Sequence, residues 1–187
     1  MFIKRISFTF AAPIFTVMTK KGFTIAFKGL STGNHSFNFE IGKQFFESYE
    51  YFEGTSGELN AHIDLLKESN MMNLSIHLEG IVSLQCDRCL GDFKQAVEGN
   101  FMLIVKFGET FGEESEEIII LPFTDSLIDL SQYFFEYINM LLPLQKVHPD
   151  KENGESGCDP EMIAQLNQYS EQKEDPRWEA LKKLKLK

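Results

Sequence analysis

The feature that most constrains this chain is a long alternating segment that ends in a pair of cysteines. From residue 74 to residue 84 every second position is apolar or glycine, and Cys86 continues the series before Cys89 follows. A period of two is typical of a strand with one buried face. We therefore expect the Cys-x-x-Cys turn (residues 86–89, here called the knuckle) where a strand ends, a position that suits a metal site.

Two cysteines supply half of an ordinary zinc site, so other ligands must come from elsewhere in the chain. His148 and Cys158 flank one turn-rich loop, and with Cys86 and Cys89 they make a Cys₃His set. This is a normal set for one structural zinc ion that is enclosed by four protein ligands. Two alternatives remain open, namely unliganded reduced cysteines and a redox dithiol. A redox dithiol needs a helix N-terminus to lower the thiol pKa, whereas Gly91 favours a turn.

The composition is that of one acidic domain with a substantial core. The 187 residues are 43% hydrophobic and include 18 phenylalanines, and the formal net charge is −10. That charge argues against a protein that binds nucleic acid over its whole surface, but it allows a local basic site. Three cysteines are too few for a disulfide scaffold and favour a reducing, cytoplasmic location. Hydrolase, P-loop and dinucleotide-binding motifs are absent from the sequence, so hydrolytic or transferase chemistry has little support from the residues.

The first 17 residues resemble a secretory signal only in part. Lys4 and Arg5 precede an apolar run, but no small-x-small cleavage site comes before Lys20. We expect residues 1–17 to be a mis-assigned upstream extension, with Met18 as the true start. A signal or anchor, as in a secreted or envelope protein, and a genuine N-terminal strand are the alternatives. Residues 18–187 then form a single domain with a basic C-terminal tail.

Periodicity predicts strands in the first two thirds of the chain and helices after them. Alternation indicates six strands, at residues 23–27, 37–41, 59–65, 73–85, 101–107 and 118–121, and the first two are expected to pair. Residues 108–117 carry five carboxylates and predict a solvated loop. Helical spacing follows over residues 130–141, and Asp-Pro signals begin helices at residues 159 and 175. The predicted fold is α+β, with a curved or barrel-like antiparallel sheet of about six strands followed by two or three C-terminal helices.

Positive charge is concentrated at the C-terminus and at one point in the knuckle. The tail residues suited to a contact with RNA or a protein partner are Arg177, Trp178, Lys182, Lys183, Lys185 and Lys187. Lysines neutralise phosphates and an exposed Trp stacks on a base, although lysines are also common at a solvated helix end. Arg88 is the second basic candidate, and its alternative is an ion pair with Asp87 or Asp92.

Short motifs in a fixed order give the chain a resemblance to a known family. They are Cys86-x-Arg88-Cys89-Leu90, then Ile128-Asp129-Leu130 with Glu136, Leu142-Pro143-Leu144 and His148, and last the run from Asp175-Pro176-Arg177-Trp178 to Leu184. Together they resemble the YceD family, the large ribosomal RNA subunit accumulation proteins, over residues 18–184. Some members carry extra cysteines in the loop that here holds His148 and Cys158. This chain departs from those members, because it has a histidine at the first of these positions and only one cysteine after it.

The resemblance implies a function that composition and spacing do not. It implies a cytoplasmic, non-enzymatic factor in large-subunit ribosome biogenesis that supports synthesis, processing or stability of 23S ribosomal RNA. The implied partners are the large-subunit ribosomal RNA precursor or a ribosomal protein, with no membrane and no small-molecule substrate. A thiol-dependent redox enzyme that uses Cys86 and Cys89 is the alternative from a different class.

Overall fold

The computed structural model describes residues 22–151 and 154–170, and this part of the chain is α+β. Its strands are β1 (Thr24–Ala26), β2 (Gly33–Ile41), β3 (Ser56–Lys67), β4 (Met71–Gln85), β5 (Asp92–Gly108), β6 (Gly112–Ser115), β7 (Ile118–Pro122) and β8 (Leu127–Asp129). Its helices are α1 (Lys43–Glu47), α2 (Ser131–Leu141) and α3 (Pro160–Ser170). The predicted terminal helix from residue 175 and the predicted extension at residues 1–17 lie outside the described residues.

Six strands form one sheet in the order β2-β3-β4-β5-β7-β6. Strands β2 to β5 are an antiparallel meander, and β4 pairs with β5 along its whole length. The prediction of a curved or barrel-like antiparallel sheet was wrong in two respects, because the sheet is not closed into a barrel and β7 runs parallel to β5. The cause lies in residues 108–117, which were predicted to be only a loop. They contain β6, which pairs antiparallel with β7. The chain therefore reverses direction once more between β5 and β7, so that β7 runs parallel to β5.

The first strand does not pair with the second, contrary to the prediction. β1 pairs instead with β8, in a separate two-stranded sheet in which Ile25 lies opposite Ile128. Both isoleucines are buried. The aromatic ring of Phe23 packs against Phe39, Phe45 and Phe134, so β1 is held beside α2 rather than at the edge of the main sheet.

The core lies on one face of the sheet, beneath α2. Alternate residues of β4 are buried apart from Gly80, as the period of two predicts, and the buried residues of α2 belong to the same hydrophobic core. The Phe134 ring of α2 is buried and lies 5.6 Å from Phe23 and 5.8 Å from Phe39. Tyr137, one turn later, stacks on Phe101 of β5 at 4.2 Å. These contacts fix α2 against the sheet near β5.

Helix α3 begins with the N-cap that the sequence predicts. Asp159 precedes α3, and its carboxylate accepts the backbone N–H of Glu161 at 2.9 Å, which is the capping that the Asp-Pro signal predicts. Among residues 22–151 and 154–170, no helix combines the length and the apolar character that crossing a membrane requires.

Candidate metal centre

The knuckle is a tight turn that closes the end of β4. The backbone N–H of Cys86 donates to the carbonyl of Gly91, and the N–H of Leu90 donates to the carbonyl of Cys86, both at 2.9 Å. Leu90 has a φ of +58°, the left-handed conformation that lets the chain reverse within a few residues. Strand β5 begins directly afterwards at Asp92, so the two thiols lie between two strands.

A polar contact holds the second half of the site beside the knuckle. The Asp87 N–H donates to the Lys146 carbonyl at 2.7 Å, and the Lys146 N–H donates to the Asp87 carboxylate at 2.9 Å. His148 follows two residues later, and its ring lies 5.1 Å from that of Phe93. The segment after α2 therefore reaches the end of β4 through a reciprocal pair of hydrogen bonds.

The structure brings together the four side chains that the spacing selected. The ligating atoms of Cys86, Cys89, His148 and Cys158 all lie within 4.8 Å of one another, and we call this set the Cys₃His cluster. The Cys86 and Cys158 sulfurs are 3.6 Å apart, and the Cys89 sulfur is 3.3 Å from the His148 Nδ1. The three cysteines are free thiols and are buried, whereas His148 is half-buried.

These distances suit a tetrahedral ion. With bonds of about 2.0–2.3 Å, tetrahedral zinc holds its ligand atoms about 3.3–3.8 Å apart. The Cys86–Cys158 and Cys89–His148 separations fall in that range, and three sulfurs with one imidazole are a donor set for a soft divalent metal. The residues present therefore fit a closed structural site.

The hydrogen bonds around Cys86 favour its thiolate. Burial alone raises the pKa of this thiol, but donors from Cys89, Arg88 and His148 outweigh burial and lower the pKa to about 6. For Cys158 the donor at Ser156 is outweighed by burial and by the two neighbouring cysteines, so its pKa is raised. A thiolate at Cys86 beside a protonated thiol at Cys158 favours cation binding, since metal binding displaces protons from its thiol ligands.

A model of the YceD family, described as large ribosomal RNA subunit accumulation protein YceD, matches residues 74–185. This span includes the whole Cys₃His cluster. The chain belongs to the YceD family. No curated protein and no solved structure matches the chain. The description of the YceD family names RNA accumulation and no catalysed reaction.

The structure describes only one of the basic residues that were predicted to contact RNA or a partner in this YceD protein. Arg88 is exposed on the knuckle, and its backbone N–H donates to the Cys86 sulfur at 3.4 Å. Within the described part of the chain its side chain forms no ion pair with Asp87 or Asp92. The tail residues lie outside the described residues, although the family match extends to residue 185. Their role stays a prediction.

Sequence reasoning missed the residues that position the cluster. Asp87 and Lys146 are 59 residues apart, and nothing in their local patterns indicates that they pair. The close packing of the loop requires a residue without a side chain at Gly157. A Cβ there would lie 2.3 Å from the Pro149 carbonyl oxygen and 3.1 Å from the His148 Cβ. The signal for Gly157 was present in the sequence, as a small residue directly before a candidate ligand in a turn-rich loop.

Gly157→Ala is expected to weaken the binding of a metal such as zinc at the Cys₃His cluster by at least about tenfold, since loss of the groups that support metal ligands commonly lowers metal affinity by that much. The added methyl must push the Pro149 backbone away and so separates His148 from Cys158. Competition with a chromophoric chelator measures the change. Gly29→Ala is the matched control, because no atom lies within 4 Å of its Cβ position. Equal zinc affinities of the two variants would contradict the expected role of Gly157.

Proposed function

We propose that this YceD-family protein is a cytoplasmic, non-enzymatic factor in large-subunit ribosome biogenesis. It supports synthesis, processing or stability of 23S ribosomal RNA by binding the RNA precursor or a ribosomal protein, and it has no small-molecule substrate. Family membership over residues 74–185 is the observation that carries this proposal. The described residues also bring together four side chains that could hold a metal ion, which supports a structural rather than a catalytic role.

Zinc is the metal we propose for the Cys₃His cluster. Cys86, Cys89, His148 and Cys158 would hold one ion, and the ion would cross-link the end of β4 to the segments that follow α2. Its chemistry there is structural, because a site with four protein ligands keeps no open position for a reacting group. The cross-link would give the exposed Arg88 a rigid base from which to contact a partner.

The alternative function is a thiol-dependent redox enzyme that uses Cys86 and Cys89. The lowered pKa of Cys86 favours it. Two observations argue against it: the knuckle leads into β5 rather than into a helix, and Cys86 and Cys89 are only 0% and 6% exposed. Tight stoichiometric zinc in the purified protein would exclude this alternative, whereas turnover of a disulfide substrate would support it.

The proposed function is tested first by sedimentation of native lysate on a sucrose gradient. The protein is detected across the fractions, and RNA cross-linked to it is sequenced. We expect enrichment with large-subunit precursors and cross-links to their ribosomal RNA or proteins. Sedimentation only as a free protein, together with unchanged 23S RNA levels in cells that lack the protein, would refute the proposal.

Replacement of Lys182, Lys183, Lys185 and Lys187 by Gln is expected to weaken RNA binding. The slope of log affinity against log salt should become shallower by about 0.7 for each lysine that neutralises a phosphate of single-stranded RNA. Filter binding of the cross-linked RNA segment at several salt concentrations measures this. The control replaces four exposed lysines elsewhere, at positions 28, 43, 94 and 151. An equal loss in both variants would show that only net charge matters and that the tail makes no specific contact.

A further inference from the structure

Strand β5 has an open edge beside α2. β7 covers only its last five residues, Ile104–Gly108, and in the described part of the chain no strand pairs with residues 92–103 on that side. Helix α2 and the turn between β6 and β7 border this edge. Together they bound a groove of about 810 Å³, which lies apart from the Cys₃His cluster and shares no residue with it.

Backbone hydrogen-bonding groups face this groove. The N–H of Ile104 donates to the Glu117 carbonyl at 2.7 Å, so the polar backbone groups of Ile104 face away from β4. In an antiparallel pair the residues alternate in direction, so Asn100 and Met102 direct their N–H and C=O groups to the same side. Both residues line the groove. An unpaired strand edge of this kind is a template for a further strand.

The walls of the groove are acidic and aromatic. Glu113, Glu116, Glu117 and Glu136 line it, and among its described lining residues there is no lysine, arginine or histidine. The aromatic rings of Phe101 and Tyr137 lie stacked on one side, with Tyr133 adjacent. Carboxylates attract basic side chains, and aromatic faces bind their cationic groups.

An unsatisfied hydroxyl points to a missing ligand. Tyr137 is only 7% exposed, and its hydroxyl has no hydrogen-bond partner among the described residues. Burial raises its pKa to about 12, and Tyr133, Glu136 and Glu117, which also line the groove, add to the shift. The hydroxyl therefore stays protonated, a donor without an acceptor on a residue that lines the groove. A buried polar group without a partner is costly, so an acceptor supplied by a ligand would remove that cost.

We propose that this groove binds an extended, lysine- or arginine-rich segment of a protein partner. The segment adds to the edge of β5 as a strand, pairs with the backbone of Asn100 and Met102, and directs its basic side chains to the carboxylates and aromatic rings. The acidic walls repel nucleic acid, so the occupant is a basic protein segment rather than RNA. The identification of the protein partner as a ribosomal component rests on the proposed function. The binding site itself does not depend on that function.

The test uses the full-length protein and a fluorescein-labelled ten-residue peptide of alternating Arg and Thr, followed by fluorescence anisotropy. The double variant Glu117→Gln/Glu136→Gln is expected to bind this peptide about tenfold more weakly, since two charge contacts are lost. The matched control is Glu40→Gln/Glu58→Gln, which removes two exposed carboxylates from β2 and β3. It should bind within about twofold of the unmodified protein.

Two further experiments distinguish specific binding in the groove from nonspecific electrostatic attraction. Tyr137→Phe keeps the ring and removes the unsatisfied hydroxyl, so the fold should be at least as stable as in the unmodified protein. The affinity for the peptide should fall by about threefold. A peptide that is N-methylated at alternate amides cannot pair as a strand and should bind poorly. Equal losses in the groove variant and its control, or undiminished binding of the methylated peptide, would overturn the proposal.

Other outcomes distinguish this inference from the proposed function. Binding of single-stranded RNA that the groove variant weakens would overturn the assignment to a basic protein segment. Failure of the peptide to bind, with 23S RNA still dependent on the protein in cells, would refute the groove alone. Specific peptide binding with 23S RNA levels independent of the protein would uphold the groove and refute the ribosomal role.

Discussion

Removal of the zinc ion that we propose for the Cys₃His cluster is expected to produce a large loss of stability in this protein. A ligand that binds only the folded state stabilises it by about 4 kcal/mol when its free concentration is a thousand times the dissociation constant. Structural zinc reaches this regime easily, since its binding free energy is also folding free energy. A chelator should therefore lower the melting temperature of the zinc-loaded protein by many degrees, as followed by circular dichroism.

Ligand variants show whether the chelator acts at this cluster. Cys86→Ser should abolish stoichiometric zinc, as measured by elemental analysis, and its melting temperature should no longer respond to the chelator. This comparison matters because a buried serine destabilises the fold by itself. His148→Gln should weaken zinc binding, whereas His35→Gln, at a histidine that bonds the Ser31 carbonyl, should not. Zinc-free protein that is as stable as the loaded form would refute a structural metal.

Much of the fold could be predicted from periodicity because burial on one face imposes it. Strand β4 (Met71–Gln85) alternates without a break in its buried residues apart from Gly80, and the cysteine at its end continues the same face. Helix α2 (Ser131–Leu141) shows the helical spacing for the same reason. These elements have a single buried face, and a single face leaves a clear pattern in the sequence.

Strand partners and directions could not be predicted in the same way. Ile25 in β1 indicates a strand, but whether its partner is β2 or β8 depends on the tertiary packing of Phe23 against α2. The parallel direction of β7 follows from β6, which consists of the sequence Gly-Glu-Glu-Ser and lacks an apolar face. Exposed edge strands carry little burial and so leave a weak pattern.

The candidate site was partly visible because its chemistry restricts residue types. A Cys-x-x-Cys knuckle limits the remaining ligands to the few other cysteines and histidines, and His148 and Cys158 flank one loop. The contact that joins the halves, between Asp87 and Lys146, uses common residues and backbone groups. The groove at β5 was missed entirely, since it exists only where β7 begins late along β5. Its acidic wall was interpreted as a solvated loop.

Phe134→Ala is expected to lower the free energy of unfolding by about 3–5 kcal/mol, the usual cost of truncating a buried Phe. The Phe134 side chain is fully buried, and its ring packs edge-on against Phe23 and tilted against Phe39, so the truncation leaves a cavity between α2, β1 and β2. This loss is a large fraction of the stability of an ordinary domain. Urea denaturation followed by circular dichroism measures it, with the midpoint shifted and the slope unchanged.

Phe123→Ala is the matched control, because its ring is 65% exposed and its removal should change stability by less than about 0.5 kcal/mol. Phe134 also lies between Tyr133 and Tyr137 in the sequence of α2, so a cavity beneath it loosens the wall of the proposed groove that α2 forms. The Phe134→Ala variant should therefore bind the alternating Arg and Thr peptide more weakly even where it is fully folded. Equal stability losses in both phenylalanine variants would show that α2 is not packed on the sheet as described, and the groove would then lose its structural basis.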